Sequence, residues 1–426
     1  MSIDSVPRPD GLILAPFRAL RYVPNAVSLA NVLAPPYDVI DDTERRELEA
    51  RDPHNVVRLT LPQDTDGPDS RYLSAAATLE AWRADGILAA DAQAGLYVYE
   101  QQADGHTQRG LVGALGLTPA EDAIVLPHEN TMAGPVADRL ALMVATAADL
   151  EMIFLVYEGG GAASRAVADA DREPPLVDVR TVDGTRHRMW AVTEPATLEA
   201  IAADLHPRRA VIADGHHRYA TFLRYQVERH NAGDGQGPWD LGLAFLVDGS
   251  TFGPQVHAIH RAIPGLPAVR AADLAATGFT VTEIAGGSAA AEEELAKAGV
   301  VGVAFALTDG ARAWLLTDPD PDKLAAALPA EKSAAWRSLD VAVAHGYLID
   351  ALWQVEDTES VVEFHHDVAS AVGAAAAAGG VALLLNPTPV ADVAAVAAAG
   401  DRMPRKSTLF VPKPATGLVI RSFADA

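Results

Sequence analysis

The sequence predicts a mixed α/β protein of the α+β class. Segments with apolar residues at helical spacing lie between short apolar runs of strand length, and the two kinds do not follow a strict βαβ order. Asp-Gly pairs separate several of the strand-like runs, which is typical of hairpins. With 426 residues, of which 49% are hydrophobic, the chain is long enough to bury the cores of two or three domains.

The first predicted domain covers residues 1–150 and combines helices with one hairpin. The hairpin turns at Asp104-Gly105, and Asp41 or Asp42 is the predicted cap of the first helix. The predicted elements are, in chain order, a helix at 42–51, a strand at 56–61, a helix at 70–85, strands at 96–101 and 110–117, and a helix at 139–150.

The second predicted domain covers residues 151–265. A flexible junction is predicted at Gly159-Gly160-Gly161, a hairpin turn at Asp183-Gly184, and a turn between two strands at Asp248-Gly249. The predicted elements are strands at 152–157, 176–180 and 187–192, a helix at 198–205, a strand at 210–213, a helix at 217–230, and strands at 241–247 and 255–263.

The third predicted domain covers residues 266–426. Its segment 368–385 is apolar nearly throughout, but alanine and glycine make it only weakly hydrophobic and Gly379-Gly380 interrupts it. A helix followed by a short buried strand therefore fits better than a membrane span. The other predicted elements are helices at 271–276, 289–298, 333–349 and 390–399, and strands at 301–307 and 312–316.

Charge and cysteine content exclude several kinds of function. The net charge is −24, from 57 acidic and 33 basic side chains, so the surface repels nucleic acids and anionic membranes, and we expect neither as a partner. The absence of cysteine excludes disulfides, thiolate metal sites and cysteine nucleophiles. The first ten residues have no apolar signal core, and we therefore expect the protein in the cytoplasm.

A strand that runs directly into a helix forms the central motif. The apolar strand 210–213 is followed by Asp214, a plausible N-cap, and by Gly215, which permits a tight turn. The free N–H groups of the helix that follows point at whatever occupies the loop. Such a helix start is suited to a phosphate group.

The side chains of this helix start add polar groups to the backbone. Arg218 lies in the first turn, where its guanidinium can grip two phosphate oxygens at once, and Tyr219 adds a hydroxyl. His216 and His217 cannot point the same way on a helix, so one can face a ligand while the other packs. Both are candidate catalytic residues. The alternative is that Asp-Gly is only a turn and that the histidines cap the helix.

A second polar segment, residues 127–131, offers candidates for proton transfer. A kinase that acts on an alcohol needs a carboxylate or an imidazole near the attacking hydroxyl, and Glu129 or His128 can serve. Thr131 and Arg139 are candidate substrate contacts. The alternative is a polar loop that caps the helix beginning near Pro135.

The segment Pro35-Pro36 stiffens the backbone just before Tyr37 and Asp38 and can present both side chains to a cleft. Asp38 and Asp214 are candidate ligands of Mg²⁺, which favours carboxylate and water oxygens and bridges phosphates. A surface turn before the next helix is the alternative. Asp214 is also a candidate catalytic residue, because it can orient a histidine of the motif instead of binding Mg²⁺.

The central motif resembles the signature of a large bacterial and archaeal family known as a domain of unknown function, number ten-fifteen. The matching segments fall in the family's order and are residues 34–40, 127–131, 212–219, 403–408, 411–413 and 417–418. From this resemblance, Lys406, Ser407, Thr408 and Lys413 are expected to bind and neutralise a phosphoryl group.

The turn is also similar, more distantly, to the phosphate-binding turn of the ParB/sulfiredoxin-like fold, which includes free serine kinases. This similarity implies a phosphate-binding core with additional α/β domains, and the family has been linked to serine kinases that use pyrophosphate. Sulfiredoxin chemistry needs a cysteine, and ParB function needs a DNA-binding domain that the acidic charge disfavours. Of the functions named for this fold, that of the free serine kinases therefore remains.

The sequence therefore predicts a phosphotransferase that acts on a small hydroxyl metabolite such as free L-serine, with pyrophosphate or a nucleotide as donor and Mg²⁺ as cofactor. Its partners are small molecules, and a homo-oligomer is compatible with the sequence. Two other functions stay open, a phosphate- or nucleotide-binding regulatory protein without chemistry and a metal-dependent hydrolase. The histidine clusters that the hydrolase would use are His216-His217, His257 with His260, and His365-His366-Asp367.

Overall fold

The computed structural model describes residues 6, 8–358 and 361–425. They form two compact units, one of Met1–Pro254 with Pro412–Ala426 and one of Gln255–Val411. The first unit is thus interrupted by the second along the chain. The predicted boundaries at residues 150 and 265 do not coincide with this division, because residue 150 lies inside the first unit. Most of the N-terminal segment in which no signal core is predicted lies outside the described residues.

A mixed sheet forms the centre of the first unit, which confirms the predicted mixed α/β class. Among the described residues it has nine strands, with antiparallel and parallel neighbours. In spatial order they are Val125–Leu126, Ala210–Asp214, Ile153–Tyr157, Leu241–Asp248, His106–Gly116, Leu96–Ala103, Arg186–Val192 and Val177–Arg180, with Leu14–Ala15 paired to His106–Gly116. Two short pairs complete the unit: Leu20–Tyr22 with Leu88–Ala90, and Ala148–Asp149 with Arg421–Ser422.

Helices cover this sheet and build two apolar cores. One core packs the sheet against helices that include His216–Ala232, through Tyr219 and Phe222, and the other lies around Leu59, Leu79 and Trp82. The helices of the first unit are Leu29–Val32, Asp42–Arg51, Val57–Thr60, Ser70–Ala84, Ala133–Thr146, Ala162–Asp169, Pro195–Leu205 and His216–Ala232. We refer to His216–Ala232 as the central helix.

The predictions for two segments of the first unit, 56–61 and 159–161, are wrong, and in both cases a side-chain contact gives the reason. The apolar run 56–61 is a helix, Val57–Thr60, because the side chain of buried Asn55 accepts a hydrogen bond from the Val57 N–H and so starts a helical turn. Gly159 and Gly161 are close-packed positions, since a β-carbon there would lie 1.8 Å from Asp248 Oδ2 and 1.9 Å from Asp204 Oδ1. Gly159 and Gly161 are therefore required for packing, whereas Gly160 has φ +100° and, among the described residues, open space around its α-carbon.

The second unit has its own antiparallel sheet. In spatial order its strands are Thr280–Glu283, Ala313–Thr317, Phe305–Thr308, Val381–Leu385, His260–Ile263 and Glu363–His365, and Gln255–His257 pairs separately with Leu409–Val411. Its helices are Ala268–Ala275, Ser288–Gly299, Pro321–Ala327, Ala334–Arg337, Asp340–Ala342, Val343–Leu352, Val368–Ala377 and Val390–Ala398. Val343–Leu352 is a π-helix.

The predictions for the second unit are partly confirmed. The segment 368–385 forms the predicted helix, Val368–Ala377, and the predicted strand, Val381–Leu385. In the part of the chain that is described, no helix combines the length and the apolar character needed to cross a bilayer. The predicted strand 255–263 is divided in two and the predicted helix 333–349 in three. The predicted strand 301–307 begins only at Phe305, because Val301 is 90% exposed in the preceding turn.

One buried histidine makes the stability of the first unit depend on pH. Burial lowers the pKa of His187 from 6.5 to about 4, and its ring nitrogens contact the Tyr99 and Thr181 hydroxyls. Between pH 6.5 and 4 the unfolded chain therefore binds a proton that the folded chain does not. The folded state loses stability as the pH falls through this window.

We predict that H187Q flattens this pH dependence. Between pH 7 and 4.5 the wild type should lose about 2 kcal/mol through His187 alone, in addition to losses shared with the variant. Urea unfolding of both proteins at the two pH values measures the difference. Parallel changes in the two free energies of unfolding would contradict the assignment.

Candidate functional site

The central helix starts at an irregular edge of the sheet. The pairing of Ala210–Asp214 with Ile153–Tyr157 shifts register between Ile212 and Asp214, which is a bulge that re-aims the chain where the strand ends. Gly215 follows with φ +94° and is itself the N-cap residue, so the prediction that Asp214 caps the helix is wrong and the central helix begins without a side-chain cap. Its first N–H groups therefore lack the capping oxygen that most helices supply.

Two independent features favour glycine at position 215. Its φ of +94° is the left-handed region, which L-residues adopt at a cost. A β-carbon at this position would also lie 3.1 Å from Arg218 Nε and 3.1 Å from Ile153 Cγ2. The turn thus brings the backbone directly against the guanidinium of the first helical turn.

Alternating charges connect the helix start with the C-terminal segment. Arg218 Nη2 lies 2.5 Å from Asp214 Oδ2, and Lys413 Nζ lies 2.5 Å from Asp214 Oδ1 and 3.5 Å from Asp38 Oδ1. Burial would lower the pKa of Arg218 and of Lys413, but the carboxylates beside them outweigh it and raise both. Both side chains are therefore cations. We call Arg218, Asp214, Lys413 and Asp38 the charge chain.

The geometry does not agree with the prediction that Arg218 grips two phosphate oxygens. Its Nη1 donates to the Met152 carbonyl at 2.6 Å, its Nη2 donates to Asp214, and only 4% of the residue is exposed. The cavity that it lines with Arg139 and Glu151 is about 30 Å³, which holds a water molecule or two. We therefore assign Arg218 to holding Asp214 in place.

Tyr219 is also engaged inside the protein. Its hydroxyl donates to the Thr118 carbonyl at 2.5 Å and accepts from the Thr118 N–H at 3.1 Å, and the residue is buried. The predicted phosphate contact is replaced by a link between the central helix and the chain after His106–Gly116.

The segment 128–132 lies directly against the two histidines of the motif. The His128 N–H donates to His216 Nε2 at 3.2 Å, and the Met132 N–H donates to His217 Nε2 at 3.1 Å. Glu129 is 44% exposed, with Oε2 3.4 Å from His216 Nδ1. Burial lowers the pKa of His217. Two predicted motifs are thus in contact, with a partly exposed carboxylate between them and the solvent.

The Tyr37-Asp38 segment is held by a buried carboxylate. The Tyr37 N–H donates to Glu151 Oε1 at 2.9 Å, and Arg139 lies over the Tyr37 ring at 4.2 Å. Burial raises the pKa of the Tyr37 phenol to about 12. Asp38 remains partly exposed beside Lys413.

The predicted substrate contacts Thr131 and Arg139 differ in accessibility. Thr131 is exposed in the loop after Glu129. Arg139 is buried and donates to the Thr60 carbonyl at 2.6 Å and to Asp138. In this structure Arg139 supports the Tyr37 ring and is not open to a substrate.

Three predicted phosphate-binding residues belong to the second unit. Lys406 is exposed with φ +52°, and its carbonyl accepts a hydrogen bond from the buried Arg261. The Ser407 hydroxyl is buried and donates to the Pro404 carbonyl at 2.5 Å, so that it shapes the turn. Thr408 is half-buried.

Glu151 is the principal site residue that the sequence analysis missed. It is 6% exposed, burial raises its pKa, and it also accepts from Thr416 Oγ1 at 3.3 Å. The available signal was a single carboxylate at the start of the apolar run 152–157. Its partners come from distant segments, so the sequence alone did not show what it contacts.

The predicted metal ligands were Asp38 and Asp214. Among residues 6, 8–358 and 361–425, no group of three or more histidine, aspartate or glutamate side chains could hold a metal ion. Both oxygens of Asp214 are already paired with cations. Asp38 is the more accessible carboxylate for an ion that brings phosphate and water ligands with it.

Fold and site together define a mixed α/β protein with an uncapped helix start surrounded by paired charges. Residues 14–342 match the model of a family described as protein of unknown function (DUF1015). Since this match covers more than half of the chain, the protein belongs to that family. None of the curated proteins compared with the sequence matches it significantly.

Several solved structures resemble the chain at low similarity. A mutant free serine kinase in complex with ADP is 13% identical, with a TM-score of 0.34, over 70% of this chain and 89% of that one. A conserved hypothetical protein from Pyrococcus furiosus is 15% identical, with a TM-score of 0.31, over 68% and 87%. SbnI from Staphylococcus aureus, truncated at its C-terminus, is 9% identical, with a TM-score of 0.34, over 73% and 87%. Similarity at this level carries no argument about activity.

We predict that G215A is more destabilising than G233A, although both glycines lie at the ends of the central helix with φ near +90°. A β-carbon at Gly233 meets no atom of the described residues within 4 Å, so G233A measures backbone strain alone. We expect a loss of about 1 kcal/mol for G233A and about 2–4 kcal/mol for G215A. Chemical denaturation compares them, and equal losses would contradict the close packing at Gly215.

Proposed function

We propose that this protein is a phosphotransferase that transfers a phosphoryl group to the hydroxyl of a small metabolite, with free L-serine as the first acceptor to test. The observation that carries the proposal is that ionisable side chains from distant segments of the chain come together at the site. Asp38, Glu129, Asp214 and Lys413 lie far apart in the sequence, yet each lies within 3.5 Å of another member of the site or of His216. A merely structural turn does not require such an assembly of ionisable groups.

The uncapped start of the central helix is the proposed place for the donor's phosphate. The backbone N–H groups of a helix start without a side-chain cap and the positive end of the helix dipole favour an anion there. Lys413 supplies the mobile cation, because its 3.5 Å contact with Asp38 is weak enough to exchange for a phosphate oxygen while the 2.5 Å pair with Asp214 holds its ammonium. Pyrophosphate and nucleotides both satisfy these requirements.

Glu129 is the proposed general base. As the acceptor oxygen bonds to phosphorus, the bond from phosphorus to the leaving oxygen breaks and the hydroxyl proton passes to the carboxylate. Glu129 is partly exposed and close to His216, so a small acceptor can approach it. Mg²⁺, if it accompanies the donor, would be held by Asp38 and would neutralise phosphate charge. We place this reaction in the cytoplasm.

A regulatory protein without chemistry is the second candidate. The observation in its favour is that both terminal nitrogens of Arg218 are engaged internally, so that Lys413 is the main cation left for transition-state charge. The hydrolase gains no support from the geometry. The Nε2 atoms of both motif histidines accept backbone N–H groups, and neither His257 with His260 nor His365-His366-Asp367 belongs to a group of three or more possible metal ligands among the described residues.

The first functional prediction is that the protein phosphorylates a small hydroxyl metabolite. Protein incubated with Mg²⁺, L-serine and either pyrophosphate or ATP should form O-phosphoserine, measured by ³¹P NMR and mass spectrometry. Donor binding without product, for a panel of small alcohols, would overturn the kinase in favour of the regulatory protein. Stoichiometric zinc in the purified protein would favour the hydrolase.

The second prediction concerns Lys413. K413M should lower kcat by about 10²-fold or more, because the developing phosphoryl charge loses its cation. K297M is the matched control, since Lys297 is 59% exposed and pairs with neighbouring glutamates on its own helix. Thermal unfolding shows whether each variant is folded. A folded K413M protein with wild-type kcat would exclude this role for the lysine.

A further inference from the structure

We propose that His216 and His217 are positioning residues that clamp the loop carrying Glu129 at two points. The effect of this clamp on catalysis rests on the proposed function, but the two hydrogen bonds that hold the loop do not. The sequence predicts both histidines as candidate catalytic residues, whereas in the structure each accepts a backbone N–H of the loop.

The two anchors bracket Glu129, Asn130 and Thr131. His216 Nε2 accepts from the His128 N–H at 3.2 Å on one side, and His217 Nε2 accepts from the Met132 N–H at 3.1 Å on the other. The residues between the anchors are exposed. The clamp therefore fixes both ends of the segment that presents the proposed base.

Helix geometry explains why the two histidines are adjacent. Successive side chains on an α-helix diverge by about 100°, so neighbouring positions reach two separate points. Here those points are the backbone amides of residues 128 and 132. A single histidine would hold one end of the loop and leave the other free to move.

The clamp also fixes the tautomer of both rings. A nitrogen that accepts an N–H bond carries no proton, so each neutral ring carries its proton on Nδ1. For His216 the protonated Nδ1 atom then lies 3.4 Å from Glu129 Oε2, where it can orient the carboxylate. The His128 ring packs edge-on against His216, with centroids 4.5 Å apart at 89°, which fixes the plane of the His216 ring.

The side-chain chemistry provides a matched pair of variants. The Oε1 of glutamine reaches the place of histidine Nε2 and can accept the same N–H, whereas leucine has similar bulk and no acceptor. If the histidines only clamp the loop, H217Q should retain most of the wild-type kcat, while H217L should lose at least about tenfold in kcat with a smaller change in the KM for the donor. A proton-transferring histidine would make both variants equally inactive.

The clamp itself is tested on the full-length protein by NMR and hydrogen exchange, without any assay of activity. ¹⁵N spectra should show both rings as Nδ1–H tautomers in the wild type, and H217L should raise the exchange rate of the Met132 amide about tenfold or more while H217Q does not. Nε2–H tautomers, or exchange unchanged by H217L, would overturn the clamp. If no acceptor is phosphorylated but these results hold, the proposed function fails and the clamp stands.

Discussion

The carboxylate of Asp214 lies between two cations, and the rest of the site depends on this arrangement. Arg218 approaches it from the next turn of the chain and Lys413 from the C-terminal segment, at 2.5 Å each. Removing one member of such a buried pair leaves an uncompensated charge, which costs several kcal/mol. The return of the chain at Pro412 to the first unit is therefore fixed electrostatically as well as by packing.

The backbone geometry of the motif follows from the same constraint. The bulge before Asp214 turns its carboxylate out of the strand, and Gly215 allows the central helix to start within one residue. Because Arg218 is in the first turn of that helix, its guanidinium folds back onto Asp214 and the Met152 carbonyl. The short connection thus fixes the anion and its first cation together.

The sequence was informative where local pattern decides structure. The strand, turn and helix around Gly215 and the helix at Val368–Ala377 could be predicted, because apolar periodicity and glycine chemistry are local. The role of Arg218 could not be predicted, because an arginine near a glycine turn can bind either a ligand anion or a carboxylate of the protein. Only the fold shows that the partners of its guanidinium are Asp214 and the Met152 carbonyl. Glu151 was missed for the same reason. The run 56–61 was predicted as a strand from its apolar residues. It forms the helix Val57–Thr60 because the Asn55 side chain accepts from the Val57 N–H, and this contact outweighs the strand preference of Val56 and Val57.

The two basic side chains of the charge chain differ in a way that suits their positions. The guanidinium of arginine is planar and rigid. Arg218 donates through its two terminal nitrogens to fixed partners, and the residue is buried. Lysine is a single charge on a flexible stem, and Lys413 is more exposed, with one close and one longer carboxylate contact. The rigid guanidinium of Arg218 is suited to holding Asp214 in a fixed position. The flexible side chain of Lys413 is suited to following the charge of a phosphate group as it moves. An incoming phosphate can replace Asp38 as a partner of Lys413 without disturbing Arg218. The contacts of Arg218 with Asp214 and the Met152 carbonyl then stay intact while the ligand binds and leaves.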